Sequence, residues 1–332
     1  VQRRLFILLI AFALSFAGCD KQQAQKTDAP AEEVADTQMV GAPEEAPLEA
    51  EPDTEPTEQA TEQLIERALL WKVEGPNGPL YLFGTIHGGV EGLTWEAFPP
   101  PARQALDASK VVVLEANLAD VNQQELANTM MLPSGKSLEK MLGEEAFDDL
   151  SKATGQMSVI LDRLQPWAAY SELSRKMIGG GAAVDKMVEE SARAQSKELV
   201  YLEGVKEQIG LLQKAVDAEL LRYMVETRED QKKLLDELIA AYQAGDADKL
   251  AKVAFDPQEM ERHPKMYEVL FDRRNKAWVG ELEKLVQRGD VFVAVGAGHL
   301  VGDNSVIAML EKKGHEVERV SAADNTESDD AK

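Results

Sequence analysis

Four short apolar runs, at residues 80–83, 111–114, 199–202 and 291–295, dictate most of what this chain can fold into. None of them alternates apolar with polar residues. A strand with one wet face alternates, whereas a strand buried on both faces reads as a continuous apolar run, the pattern of a parallel sheet covered by helices. Weaker strand patterns at 71–74 and 316–320 open and close the same region. Helical patterns at 102–109 and 304–313 lie beside these runs, the second ending at Gly314, a residue type favoured just past a helix end. From Asp120 to Arg288, apart from the run at Leu199, the chain reads as helix. Leu211, Leu212, Ala215, Leu220 and Met224, then Leu234, Leu235, Leu238 and Ile239, fall at helical spacing. The expectation is one α/β domain over residues 62–320, with a central, mainly parallel sheet flanked by helices and a large helical middle segment.

Two of the apolar runs end in the same motif. Gly84-Thr85-Ile86-His87 follows the first and Gly296-Ala297-Gly298-His299 follows the last, so two of the four histidines share one local setting. Glycine at a strand end lets the backbone approach a ligand or another strand. A side chain just beyond the carboxyl end of a parallel strand stands where open α/β sheets build their sites. Neutral imidazole is both a common metal ligand and the usual general base near neutral pH.

Glu115, directly after Val111-Val112-Val113-Leu114, and Glu203, after Val200-Tyr201-Leu202, belong to the same rim. A carboxylate there is costly to desolvate without a partner. Each reads as a metal ligand or general base, or as a hydrogen-bond partner of a nearby helix N-terminus. Two histidines and a carboxylate form a ligand set of zinc hydrolases, and the same donors suit manganese, cobalt or iron. There is no His-Glu-x-x-His helix and no Gly-x-Ser-x-Gly, which argues against a zincin and against serine catalysis. His263, before Pro264, and His315, after Gly314, are expected at the surface. Gly179-Gly180-Gly181 reads as a loop, since it lacks the lysine and Ser/Thr of a phosphate-binding loop. The methionines of the helical middle, among them Met131, Met157, Met187 and Met224, read as core filler, with an adaptable peptide groove as the alternative.

The ends carry different information. Gln2-Arg3-Arg4 precedes an uncharged stretch from Leu5 to Gly18 that ends at Cys19, the only cysteine. A basic start, an apolar stretch too short for a comfortable span and small residues before a lone cysteine resemble a bacterial lipoprotein signal over residues 1–19. The expectation is a lipid-anchored protein on the periplasmic side of a cell envelope, held at Cys19. Asp20 resembles an inner-membrane retention signal. Residues 20–61 are rich in Ala, Glu, Pro, Gln, Thr and Asp and are expected to form a disordered acidic tether, with a second acidic tail over 321–332. The formal net charge is −23 and no basic stripe interrupts it, which excludes the electrostatic footprint of a nucleic-acid binder.

Tyr81-Leu82-Phe83-Gly84-Thr85-Ile86-His87, Val113-Leu114-Glu115, Pro166-Trp167, Val184-Asp185, Tyr201-Leu202-Glu203 with Glu207-Gln208, Arg274-Asn275 with Trp278, and Val295-Gly296-Ala297-Gly298-His299 occur in this order. Together they resemble the TraB/GumN family, which includes the pheromone-shutdown protein PrgY and the Tiki proteases. The resemblance implies an erythromycin-esterase (EreA)/ChaN-like α/β fold and a metal-dependent peptidase centre. The motif glycines Gly84 and Gly296 introduce its ligands. His87, His299 and Glu115 would hold a divalent ion, manganese, cobalt or zinc, and Glu115 or Glu203 would serve as general base. Asp185, Glu207, Arg274 and Asn275 match further family positions around it, and Arg274 would orient a carboxylate or hold an oxyanion. The substrate would be a peptide or protein. Two other readings are a haem- or iron-binding protein ligating through His299, by analogy with the ChaN-like fold, and a non-catalytic module that sequesters a peptide.

Overall fold

A computed structural model describes residues 64–117 and 120–321. Cys19, Asp20, the tether and the tail beyond Ser321 lie outside the described residues. The fold is mixed α/β. Six strands, β1 (Leu70–Val73), β2 (Leu80–Thr85), β3 (Val111–Leu114), β4 (Glu198–Tyr201), β5 (Val291–Gly296) and β6 (Val317–Arg319), form one sheet in the order β4-β3-β5-β2-β1-β6. The four strands from the apolar runs are mutually parallel, β4 with β3, β3 with β5 and β5 with β2. The two weaker strands make the antiparallel edge, β1 pairing with both β2 and β6.

Register turns this sheet into a platform. Thr85 pairs with Gly296, Leu114 with Ala294, and Leu114 with Tyr201. The carboxyl ends of β2, β5, β3 and β4 are therefore level, and whatever follows them shares one rim. Beneath the rim the packing is dry. Every residue of β3 is buried, and Phe83 packs edge-on against Phe98 at 5.5 Å and at a tilt against Phe292 at 5.4 Å. Burying a side chain of this size contributes about 1.5–3 kcal/mol.

The region 120–288 is helical around β4, as its periodicity predicts. The expected helix at 304–313 begins later, as Val306–Lys312, because the Ser305 hydroxyl caps it by accepting from the Ala308 N–H at 3.1 Å. The segment Pro264–Arg288 contains one irregularity, a π-helical turn over Glu268–Asp272 directly before the helix Arg273–Arg288. Such a turn widens the helix and is frequent beside functional groups; here Arg274 and Asn275 follow it. Among the described residues no helix is long and apolar enough to cross a membrane.

The methionines divide between core and surface: Met187 and Met224 are buried, Met131 and Met157 exposed. His263 and His315 correct the surface expectation. His263 is half-buried against the Tyr223 ring at 4.7 Å, and His315 is half-buried with Nε2 3.8 Å from Glu283 Oε1. Each lies in a turn whose neighbouring helices cover the ring.

The first motif glycine has a steric reason. A Cβ on Gly84 would stand 3.1 Å from Leu69 Cβ and 3.2 Å from Ala297 Cα, so β2 lies almost against the segment that carries His299. Gly84→Val is expected to lower the unfolding free energy by about 1–3 kcal/mol through overpacking. Urea unfolding measures it, and a variant as stable as the parent would contradict this contact.

Candidate active site

At the level carboxyl ends stands a cluster centred on a cation. Arg274, 6% exposed, lies in the first turn of the helix Arg273–Arg288. Its Nη2 donates to Glu115 Oε2 at 2.6 Å and to Glu203 Oε1, and its Nε donates to Glu203 Oε1 at 3.0 Å. Its Nη1 donates to His299 Nε2 at 3.0 Å and, more weakly, to the Leu270 carbonyl at 3.4 Å. Guanidinium has five N–H donors, and all are engaged. The arginine orients carboxylates, and it has no donor left for an oxyanion unless it releases a partner. The Trp278 ring lies under the guanidinium at 4.6 Å, a cation–π contact.

The two glutamates share this charge unequally. Burial pushes Glu115 up, but Arg274, then His299 and His87, and the Gly296 N–H, which donates to Oε1 at 2.8 Å, bring its carboxyl down to about 2. For Glu203, burial outweighs what the same arginine returns, and its carboxyl titrates above the usual range. Two carboxylates beside one cation behave this way because ionising the second meets the charge of the first.

The tautomer of His299 follows from its neighbours. Arginine only donates, so Nε2 must be the acceptor; Nδ1 then carries the proton and donates to Asn275 Oδ1 at 2.6 Å. The ring is 3% exposed and packed between Phe271 and Trp278, with centroids at 5.1 and 4.5 Å. Burial, then the arginine charge, push its pKa down to about 3. A Cβ on Gly298 would meet the Phe271 ring at 2.8 Å, whereas one on Gly296 would make only ordinary contacts. In the second motif it is therefore Gly298 that close packing demands, while Gly296 contributes its N–H.

His87 has a different partner. Its Nδ1 is 3.2 Å from Asp185 Oδ1, at the start of the helix Val184–Ala194, and its side chain is 15% exposed. Burial pushes the ring down, but Asp185, by charge and hydrogen bond, and then Glu115 outweigh it, so His87 titrates above the usual histidine value. Two backbone bonds hold the pair: Val184 N–H to the Ile86 carbonyl and Gly89 N–H to the Gly180 carbonyl, both at 2.8 Å. The triple-glycine loop thus docks on the loop that follows His87.

The structure brings Glu115, Glu203, Arg274, His299 and Asn275 into contact and sets His87–Asp185 beside them, within electrostatic reach of Glu115 and Arg274. Glu207 does not join them; it is exposed in the first turn of the helix Val205–Ala215. One residue on, about 100° around the helix, Gln208 is buried and donates to Glu203 Oε1 at 2.6 Å and Glu115 Oε2 at 3.3 Å. Its signal in the sequence is its place beside Glu207 in the motif Glu207-Gln208, one turn inside a helix that starts after a rim glutamate.

The donor set does not fit a metal ion as arranged. Both nitrogens of His299 and both oxygens of Glu115 already have partners, and the lone pair of Nε2 faces a cation. Among the described residues no group of three His, Cys, Asp or Glu side chains is placed to hold a metal. The same engagement leaves His299 without a nitrogen for a haem iron. What the rim does offer is a proton-transfer group, His87 on Asp185, next to fixed charges.

A family model described as the TraB/PrgY/gumN family matches residues 69–319. An uncharacterized protein of Treponema pallidum (strain Nichols) is 23% identical over 271 residues, 74% of this chain and 80% of that protein. The metalloprotease TIKI2 of Danio rerio is 22% identical over 317 residues, 76% of this chain and 60% of that protein. A metalloprotease TIKI homolog of Amphimedon queenslandica is 24% identical over 321 residues, with shares of 78% and 62%. The chain spans less than two thirds of the length of these TIKI relatives.

The cluster makes acid stability measurable residue by residue. Unfolded His299 takes a proton near 6.5 but the folded ring only near 3, so its contribution is complete above 6.5 and is lost as pH falls toward 3. For Glu115 the corresponding values are 4.5 and about 2, and the loss starts lower. His87, with its folded pKa raised, acts in the opposite sense, losing its contribution as pH rises through that value. Urea unfolding between pH 6.5 and 4.5 is expected to show a shallower fall in stability for His299→Gln than for the parent, and equal slopes would refute the buried neutral ring.

Proposed function

We propose that this chain, which belongs to the TraB/PrgY/gumN family, is a hydrolase acting on peptide bonds at the level carboxyl ends of β2, β3, β4 and β5. The observation that carries the reading is the meeting of two unlike elements at one rim: a partly exposed histidine with its own carboxylate, and a buried arginine bridging two glutamates. In this reading His87 is the general base. It takes a proton from water as the water oxygen bonds to the peptide carbonyl carbon. Asp185 and Glu115 favour the imidazolium that results. That imidazolium returns the proton to the amine nitrogen as the carbon–nitrogen bond breaks. Arg274 keeps the two glutamates fixed so that His87 faces a constant field.

A divalent ion, implied by the relatives' name, would supply a Lewis acid to polarise the carbonyl and acidify water. Because the donors described above do not fit it, the proton steps run on the chain's own residues. Support for a peptide substrate comes from β4. It is the sheet's edge, half-exposed, with no strand on its outer side among the described residues, and the next residues lead to Glu203. A cavity of about 390 Å³ lies beside it, lined by Val200, Leu202, Leu285 and Arg288 among others. An extended peptide adds to such an edge by backbone hydrogen bonds and places side chains in adjacent pockets. Kinship of the fold with the erythromycin-esterase/ChaN-like class belongs to the same proposal, as does a lipid on Cys19 holding the domain at the periplasmic face.

A peptide library incubated with the full chain tests the activity. Cleavage is expected, with His87→Ala reducing turnover by about 10²–10⁴ and Asp185→Asn moving the acidic limb of the pH–rate profile to lower pH. Cleavage that His87→Ala leaves untouched would remove the rim from the reaction. Cys19→Ser is expected to release the protein from membranes into the soluble fraction; retention at the membrane would refute the anchor.

A further inference from the structure

The donors of this rim are already engaged, and we infer that Arg274 is the resident cation of the centre, occupying the space in which a divalent ion would meet His299, Glu115 and Glu203. Three donor groups converge on the guanidinium: His299 Nε2 at 3.0 Å from Nη1, Glu115 Oε2 at 2.6 Å from Nη2, and Glu203 Oε1 at 3.0 Å from Nε. One imidazole nitrogen and two carboxylates are a competent set for zinc or manganese. The arginine meets all of them at once.

Coexistence is excluded by distance. Imidazole has a single lone pair on Nε2, in the ring plane, and it is directed at Nη1. An ion at the usual length of about 2.0–2.1 Å from that nitrogen would lie within about 1 Å of Nη1, since Nε2 and Nη1 are 3.0 Å apart. Arginine also cannot yield by losing its proton. An ion enters only if the whole side chain leaves, and leaving means breaking its bonds to both carboxylates and its stacking on Trp278. The remaining nitrogen of His299 offers no second approach, because Asn275 holds it at 2.6 Å. The cluster is thus closed to ions by a side chain, and taking that side chain away leaves its three donor groups facing one vacated volume.

The inference rests on reading this rim as the reactive centre, but its test measures ion uptake, so it and the hydrolase reading can fail separately. Chelator-treated full chain is titrated calorimetrically with manganese, cobalt and zinc chloride, for the parent, His299→Ala, Arg274→Met and the Arg274→Met/His299→Ala double variant. The parent is expected to show no one-to-one uptake that depends on His299. Arg274→Met is expected to gain one ion per chain, at least about tenfold tighter than any parent site, and the double variant to lose it. Parent uptake of one ion per chain that weakens about tenfold or more in His299→Ala would overturn the inference, as would a folded Arg274→Met that gains no ion. Circular dichroism establishes folding. If Arg274→Met does not fold, Arg274→Gln, which keeps a polar group in the space, takes its place. If neither folds, the parent and His299→Ala titrations decide between a closed and an open cluster.

Discussion

Burying the charge of Arg274 costs desolvation energy that only close, well-aligned partners offset, and that requirement orders the whole carboxyl-end rim. The partners come from the end of β3, the end of β4 and the turn after β5, while the arginine itself comes from a helix entered through a π-helical turn. Four separate segments must be in register for one guanidinium to be satisfied. Removing a single partner from a buried pair of this kind typically costs about 3–5 kcal/mol, so the cluster is a check on the fold as much as a part of the site. The level ends of the parallel strands make it geometrically possible, and the electrostatics then hold those ends level.

The strands and the rim were readable because their signals are local. A continuous apolar run followed by glycine and histidine is visible in ten residues, and the parallel arrangement of such runs fixes where Glu115 and Glu203 must stand. Partner choice was not readable. Nothing in the sequence tells that the donors of Arg274 cover His299, Glu115 and Glu203 together, because those residues are brought close only by the complete topology. Glu207 and Gln208 show how fine the limit is: the charged residue has the more obvious chemistry, yet helix geometry turns it to solvent and points the uncharged one at both carboxylates. His263 and His315 fail for a related reason, since each ring meets a residue from a helix distant in sequence, Tyr223 and Glu283.

Two identical motifs end in opposite electrostatics. His87 finds an anion and is raised; His299 finds a cation and dense aromatic packing, and is lowered to about 3. Equivalent spacing in the sequence therefore does not make equivalent chemistry. One ring is shifted toward its protonated form, and the other is a neutral hydrogen-bond bridge from Asn275 to Arg274. A metal site with two equivalent histidine ligands would need both rings neutral with a nitrogen free. Here the surroundings of each ring work against this, through an anion that favours the imidazolium at His87 and through occupied nitrogens at His299.

Charge counting carries this a step further. A divalent ion between Glu115 and Glu203 would balance both carboxylates, whereas Arg274 balances one. The surplus negative charge tells at Glu203, which burial and then the Glu115 charge push up, while Glu115 is held low. Glu203 accepts from Gln208 and Arg274, a few hydrogen-bonded contacts from the Glu115 charge that His87 feels. A single charge in place of a double one thus leaves two groups shifted upward for different reasons, an imidazole by an anion and a carboxyl by burial. In the proposed hydrolase reading the contrast that matters is between two neighbouring carboxyls, Glu115 held low and Glu203 pushed up by their surroundings.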